Sequence, residues 1–266
     1  MRKIDIAELK VLQMDILDVI HEFCQQNEIQ YSLGCGTLLG AIRHKGYIPW
    51  DDDIDIYVLR ADYNKLLSLF PQSLHNIKLI SIERDDKWVK PYAKAYDDRT
   101  ICDEGGKLHN IGVSIDIFPI DAVPFKEKDW LSFNRKRRFL HHLYEAKFEH
   151  FSRKRSLYRN IALGLCKALV VFATTRKVCE YFDRFVQKYN SIDSTCVFES
   201  CQGMLQKNRF KRSDMESFID LPFEDRVYKG MKDYDEYLTC GFGDYMQLPP
   251  EEKRISHHNI KAWWKE

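Results

Sequence analysis

The chain has 266 residues, enough to bury a substantial core as one domain with an appended region. Its 44% hydrophobic and 30% charged residues are those of a soluble globular protein, and a formal charge of +1 argues against binding nucleic acid through bulk charge. Met1 to Lys10 leads into an amphipathic pattern rather than an apolar run, so no signal peptide is expected. The eight cysteines form no C-x-x-C pair and are expected to be reduced thiols of a cytoplasmic protein.

In chain order, Ile6, Leu9, Leu12, Ile16, Val19, Ile20 and Phe23 recur at spacings of three and four, which predicts a helix over Asp5 to Gln26. Gln30 to Leu33 reads as a first strand. After the Gly34 and Gly36 turn, Thr37 to His44 reads as a helix, followed by a Lys45-Gly46 turn. Asp51, Asp52, Asp53 and Asp55 then lead into the apolar Ile54, Ile56 and Val58. Arg60 to Phe70 is a further helix stopped by Pro71. Ile77 to Ile82 and Val89 to Tyr96 alternate as strands, with Pro91 placing the latter at a sheet edge. Ile111 to Ile117 is the strongest strand of the middle region, ending in Phe118-Pro119-Ile120-Asp121.

The acids have a readable phase. Side chains alternate across a strand, so Ile54, Ile56 and Val58 face a core while Asp53, Asp55 and Tyr57 face the other way. Carboxylates two apart on one face stand about 7 Å apart at the backbone, and hard divalent cations are bound by such oxygens together with substrate phosphates. Asp51 shares this parity but lies at the turn. Asp52 points away unless the strand starts later. The plainer reading is an acidic turn capping a surface strand. Against it stands the glycine-bracketed turn upstream, which opens a helix whose free N–H groups suit phosphate. Asp116, of the right phase within IGVSIDI, is either a buried acid satisfied by the backbone or a third carboxylate.

Gly34 to Tyr63, GCGTLLGAIRHKGYIPWDDDIDIYVLRADY, resembles the signature of the LicD family of phosphocholine transferases, which is similar to the fukutin-type ribitol-phosphate transferases and belongs to the nucleotidyltransferase-fold superfamily. IDIFPID resembles a second hallmark block. Asp220 to Glu224 and Tyr234 to Pro250 resemble a closing block, with Phe242 where Tyr is common, and His257-His258 matches a family histidine position. The likeness covers roughly residues 30 to 125 and 220 to 258.

The resemblance implies an α/β (α+β) fold: a nucleotidyltransferase-like mixed sheet flanked by helices, with an added basic helical region. The expected division is a catalytic core over 1–125, the basic region over 126–215 and a C-terminal segment over 216–266 that packs back on the core. It also implies catalytic and metal-binding roles for Asp53, Asp55 and Asp116 with Mg²⁺, Mn²⁺ being the alternative. Gly36 and Thr37 would hold a phosphate, with Arg43, Lys45 and Lys94 as further phosphate contacts or surface charge. The implied reaction moves a phosphorylated head group from a CDP-linked donor such as CDP-choline to a glycan or lipid-linked oligosaccharide acceptor, releasing CMP. Trp50, Trp88 and Tyr92 are candidates to surround a quaternary ammonium; a polyol head group would need polar partners instead. Nucleotidyl transfer and a degenerate binding module are the rival readings.

Residues 126–180 hold 14 Lys/Arg against 5 Asp/Glu, an excess of 9. Most of this stretch reads as helix. Ile161 to Ala173 is the most apolar part, interrupted by Lys167 and too short to span a bilayer. It is either a core helix with solvated basic neighbours, the favoured reading, or a peripheral contact with an anionic membrane surface. No aromatic-interleaved motif supports RNA, so no nucleic-acid partner is expected.

Overall fold

The computed structural model describes residues 1–103, 111–192, 194–201, 209–255 and 260–266. A short strand β1 (Lys3–Ile4) leads into α1 (Ile6–Gln26), where the Asp5 carboxylate accepts the Glu8 N–H at 2.9 Å and satisfies an otherwise orphaned donor. Most of the predicted apolar stripe is buried, with Leu9, Leu12, Ile16, Ile20 and Phe23 inside, whereas Ile6 at the start of the helix is exposed. Next come β2 (Ser32–Leu33), α2 (Cys35–Arg43), β3 (Asp55–Leu59), α3 (Arg60–Leu69), β4 (Ile77–Ile80), β5 (Ala93–Asp97), β6 (Thr100–Asp103) and β7 (Ser114–Ala122).

The main sheet has the order β2-β3-β7-β5-β4. β3 and β7 run parallel, whereas β2 on β3, β5 on β7 and β4 on β5 are antiparallel. This mixed sheet with helices packed on it is the expected α/β architecture. α1 lies against β5 and β7, and α3 against β3 and β7. The core runs continuously from Leu9 and Ile16 through Ile56 and Val58 to Ile115 and Ile117.

Several strands differ from the sequence reading. β3 starts only at Asp55, so Asp53 and Ile54 precede it. β2 and β4 are each two residues shorter than expected, and β5 and β7 differ in position and extent. β5 is interior, between β7 and β4, and not at an edge. Pro91 is compatible with that because the strand starts only at Ala93, past the residue that lacks a donor. β7 starts at Ser114, three residues later than expected, and runs through Pro119 to Ala122. The Asp116 N–H bonds the Ile54 carbonyl, so even-numbered residues donate towards β3 and odd-numbered ones to the other side. On that side β5 stops opposite Ile117 and the next strand starts opposite Ile120, so Pro119 falls where no ladder bond is required.

The basic region forms α4 (Glu127–Glu145), α5 (Leu157–Leu169) and α6 (Thr175–Val186). The chain then returns to the sheet as β8 (Cys196–Glu199) on β7 and β9 (Phe210–Lys211) on β8. Leu140 of α4 packs with Phe182 and Val186 of α6, while Trp130 and Phe133 pack against Val123 and Phe198. A buried ion network fastens this assembly to the sheet. Arg60 of α3 holds Asp121 of β7 through two bonds of 2.8 Å and reaches Asp183 of α6 at 3.2 Å. Burial pushes the Asp183 carboxyl up to about 6, against the pull of Arg60.

The hairpin β10 (Phe218–Phe223) and β11 (Arg226–Met231) precedes α7 (Tyr234–Phe242), and β11 lies against β2. Finally β12 (Lys261–Trp264) pairs with both β1 and β6.

Candidate active site

Parallel register decides how the acids meet. Asp55 of β3 is the pairing partner of Asp116 on β7, and Asp116 is in turn the partner of Lys94 on β5. Cross-strand partners share a face, so Asp55, Asp116 and Lys94 form a row across three strands. Lys94 Nζ lies 2.9 Å from Asp116 Oδ1 and donates to the Ser114 hydroxyl at 3.4 Å. Lys94 is therefore engaged with a site carboxylate within the sheet. Burial pushes the Asp55 carboxyl well above the usual carboxylate range, and the charges of Asp53 and Asp116 push it further. Among the described residues no group of three His, Cys, Asp or Glu side chains is already arranged around a metal position. Even so, a buried carboxyl crowded by two others is a donor set to which a hard cation fits, because the cation would offset the repulsion the fold builds in.

The helix start ahead of this strand is tightly built. Thr37 is buried, and its hydroxyl accepts the Asp55 N–H at 2.9 Å, so the helix carries the strand's first residue. The Cys35 N–H donates to the Tyr237 hydroxyl of α7 at 3.3 Å, and Cys35 itself has φ 42°, a left-handed conformation that costs a non-glycine residue. Burial also holds the Cys35 thiol well above its ordinary range, so it is no ready nucleophile. A Cβ on Gly36 would stand 2.7 Å from Asp51 Oδ2, so the acidic turn presses directly against the N-terminus of α2, where a negative charge is favoured.

These groups open into a cleft of about 1580 Å³. Its floor is Gly36, Asp51, Asp53 and Asp55, three acids of one parity, while Asp52 is buried elsewhere with its carbonyl bonded by Gln13. Asp116, 18% exposed at its side chain, and Thr37 stand behind this surface. Of the expected phosphate contacts, Arg43 lines the cleft and donates to the Tyr245 carbonyl at 2.7 Å. Lys45 is exposed in the turn after α2, at φ 61°, away from the cleft. Trp50 and Tyr92 line the cavity, but Trp88 is buried below it and donates to the Tyr92 carbonyl.

Sequence reasoning missed the α4 wall. Arg137, Arg138, His141 and His142 of α4 line the same cleft as the acids, with Tyr144 and Phe148. The signal was available in their i, i+4 spacing, which puts Arg137 with His141 and Arg138 with His142. Arg137 is fixed by bonds to the Ser200 carbonyl at 3.1 Å and the Asn134 side chain at 3.0 Å. Burial, followed by the charges of Arg137 and His142, lowers His141 to about 4, so its ring is neutral at pH 7. The closing block supplies a third wall through Phe242, Tyr245 and Pro249, and Arg254 stacks over Trp50 at 5.8 Å. His257 and His258 lie outside the described residues.

One cleft thus holds acidic, basic and aromatic side chains together, which suits a substrate carrying both phosphate and an organic head group. Comparison with known proteins points the same way. Residues 28–154 match the family described as LicD/FKTN/FKRP, nucleotidyltransferase domain. The whole chain is similar to the lipopolysaccharide cholinephosphotransferase LicD of Haemophilus influenzae, with 33% identity over 270 residues that cover 99% of each chain. Shorter matches join it to uncharacterised proteins of Rickettsia typhi, 40% identical over 77 residues (27% of this chain and 25% of that one), and of Rickettsia prowazekii, 38% identical over 84 residues (31% and 32%).

Proposed function

The chain belongs to the LicD family and is a phosphotransferase, and from that premise we propose that it transfers phosphocholine from CDP-choline to a sugar hydroxyl of a lipopolysaccharide or its lipid-linked precursor. The observation that carries this reading is that Asp53 and Asp55 line one cleft together with Arg137, Arg138, Trp50 and Tyr92.

In this reading Asp53 and Asp55 would hold Mg²⁺ or Mn²⁺, with Asp116 completing the set. The bound ion supplies charge neutralisation at the donor phosphates. The chain's own residues do the rest. Arg43 and the α4 arginines bind phosphate oxygens and orient the donor, while the start of α2 at Gly36 is taken by the Asp51 carboxylate. Thr37 acts through the Asp55 N–H, fixing where that carboxylate begins. Lys94 holds Asp116 in place beside Asp55, behind the cleft lining, so its contribution passes through Asp55 and the cation site. A quaternary ammonium at Trp50 and Tyr92 would compete with Arg254 and Lys90, which lie over those rings at 5.8 and 5.3 Å. Positioning and charge then favour in-line displacement, as in phosphoryl transfer generally.

The test is incubation of the purified protein with Mg²⁺, CDP-choline or other CDP-linked alcohols, and lipopolysaccharide. CMP release coupled to head-group transfer is expected, with Asp55→Ala inactive. Release of pyrophosphate from a nucleoside triphosphate would instead mean nucleotidyl transfer. Full activity of Asp55→Ala would remove the mechanism.

A further inference from the structure

α5 buries none of its residues. Leu157, Ile161, Leu165 and Leu169 stand at successive i, i+4 positions and are exposed by 76%, 55%, 65% and 67%. Val171 and Phe172 continue the stripe beyond the helix, and Phe151 joins it from before. Contiguous apolar surface of this extent mostly marks a binding face. Its charge setting is one-sided: from Phe151 to Val178 there are seven basic residues and no acidic one. Arg153, Lys154 and Arg159 are exposed beside the stripe. No helix among the described residues is long and apolar enough to cross a membrane.

We propose that α5 and its flanks form a docking surface that lies in the interface of an anionic lipid bilayer, with the apolar stripe entering the headgroup boundary and the basic residues meeting lipid phosphates. Arg155 and Arg176 are paired with Glu149 and Glu180, which leaves Arg153, Lys154 and Arg159 as the exposed cations beside the stripe. An exposed apolar face bordered by such cations is the pattern of interfacial helices. A second copy of the chain fits less well, because a twofold interface would set the same cations against one another. The surface is close to the cleft. Phe148 lines the cavity, and the exposed Phe151 three residues on packs 3.8 Å from where a Gly164 Cβ would lie. A bilayer on α5 would therefore sit beside the α4 wall. This inference stands whatever reaction the cleft performs.

The test is sedimentation of the full chain with phosphatidylcholine vesicles that contain or lack roughly one-third phosphatidylglycerol, at low and high salt. At least tenfold more bound protein is expected on the anionic vesicles, with binding reduced by salt. The pair Ile161→Glu and Leu165→Glu, and separately Arg153→Glu with Lys154→Glu, should each lower binding at least tenfold while circular dichroism stays unchanged. All four positions are exposed, so the variants fold as the parent does. Three outcomes would overturn the proposal: no binding to anionic vesicles at low salt, equal binding to neutral ones, or unchanged binding by both pairs. Sedimentation velocity adds a fourth, a parent dimer made monomeric by Leu165→Glu.

Discussion

Lys94 and Thr37 hold the acids in place from two sides. Lys94 is the cation nearest Asp116, and both lie largely out of water, so Lys94→Met should leave a poorly compensated charge and cost about 2–3 kcal/mol. Activity should fall by roughly tenfold or more as Asp116 shifts towards other partners. Urea denaturation and CMP release measure the two effects, and a stable, fully active Lys94→Met would remove Lys94 from the site. Thr37 makes a different contribution. Thr37→Val keeps the shape but orphans the buried Asp55 N–H, a loss of about 1–3 kcal/mol, whereas Thr37→Ser keeps the bond. If Val and Ser variants have the same stability and turnover, the hydroxyl does not position Asp55.

α4 is the element whose purpose changed most between sequence and structure. Strand phase made Asp55 legible, and the register of β3 on β7 brought it to Asp116. But β3 starts only at Asp55, so Asp53 lies before the strand and reaches the cleft without the phase predicted for it. A helix face is equally legible, but its spacing says nothing about what lies opposite, so the cations of α4 read as solvated until β8 and β9 returned the chain to the sheet. Pro91 misled in the same way: the rule about donors was sound, but the strand began two residues later. The depressed His141 gives α4 a pH signature. An imidazole that takes up a proton readily only when the chain unfolds contributes stability above pH 6.5 and loses it as the pH falls towards 4. With 18% of the side chain exposed, the loss should be about 3 kcal/mol at most. Chemical denaturation at pH 7, 5.5 and 4.5 checks this against His141→Gln, whose stability should fall less steeply over that window. Parallel pH dependences in the two proteins would mean that the ring titrates normally.

At the scale of the whole molecule, the cleft exists only while the helical region stays fastened to the sheet. The fastening is polar: Asp121 is fully buried between Arg60 and Asn190, and Arg176 donates from α6 to the Ile82 and Asp85 carbonyls at 2.6 Å. Apolar contact alone would tolerate sliding, whereas these bonds fix one seat for α4 and α6. Asp121→Asn removes a charge that Arg60 was folded around, and breaking a buried pair of this kind costs about 3–5 kcal/mol. Much of that loss should be local. Hydrogen exchange is expected to accelerate in α4 and α6 while the β3 and β7 amides keep most of their protection. Because the α4 wall is then loosened without any change to Asp53, Asp55 or Asp116, KM for the donor should rise more than kcat falls. A uniform rise in exchange across sheet and helices would instead mean that Asp121 stabilises the fold as a whole and has no particular role in seating the wall.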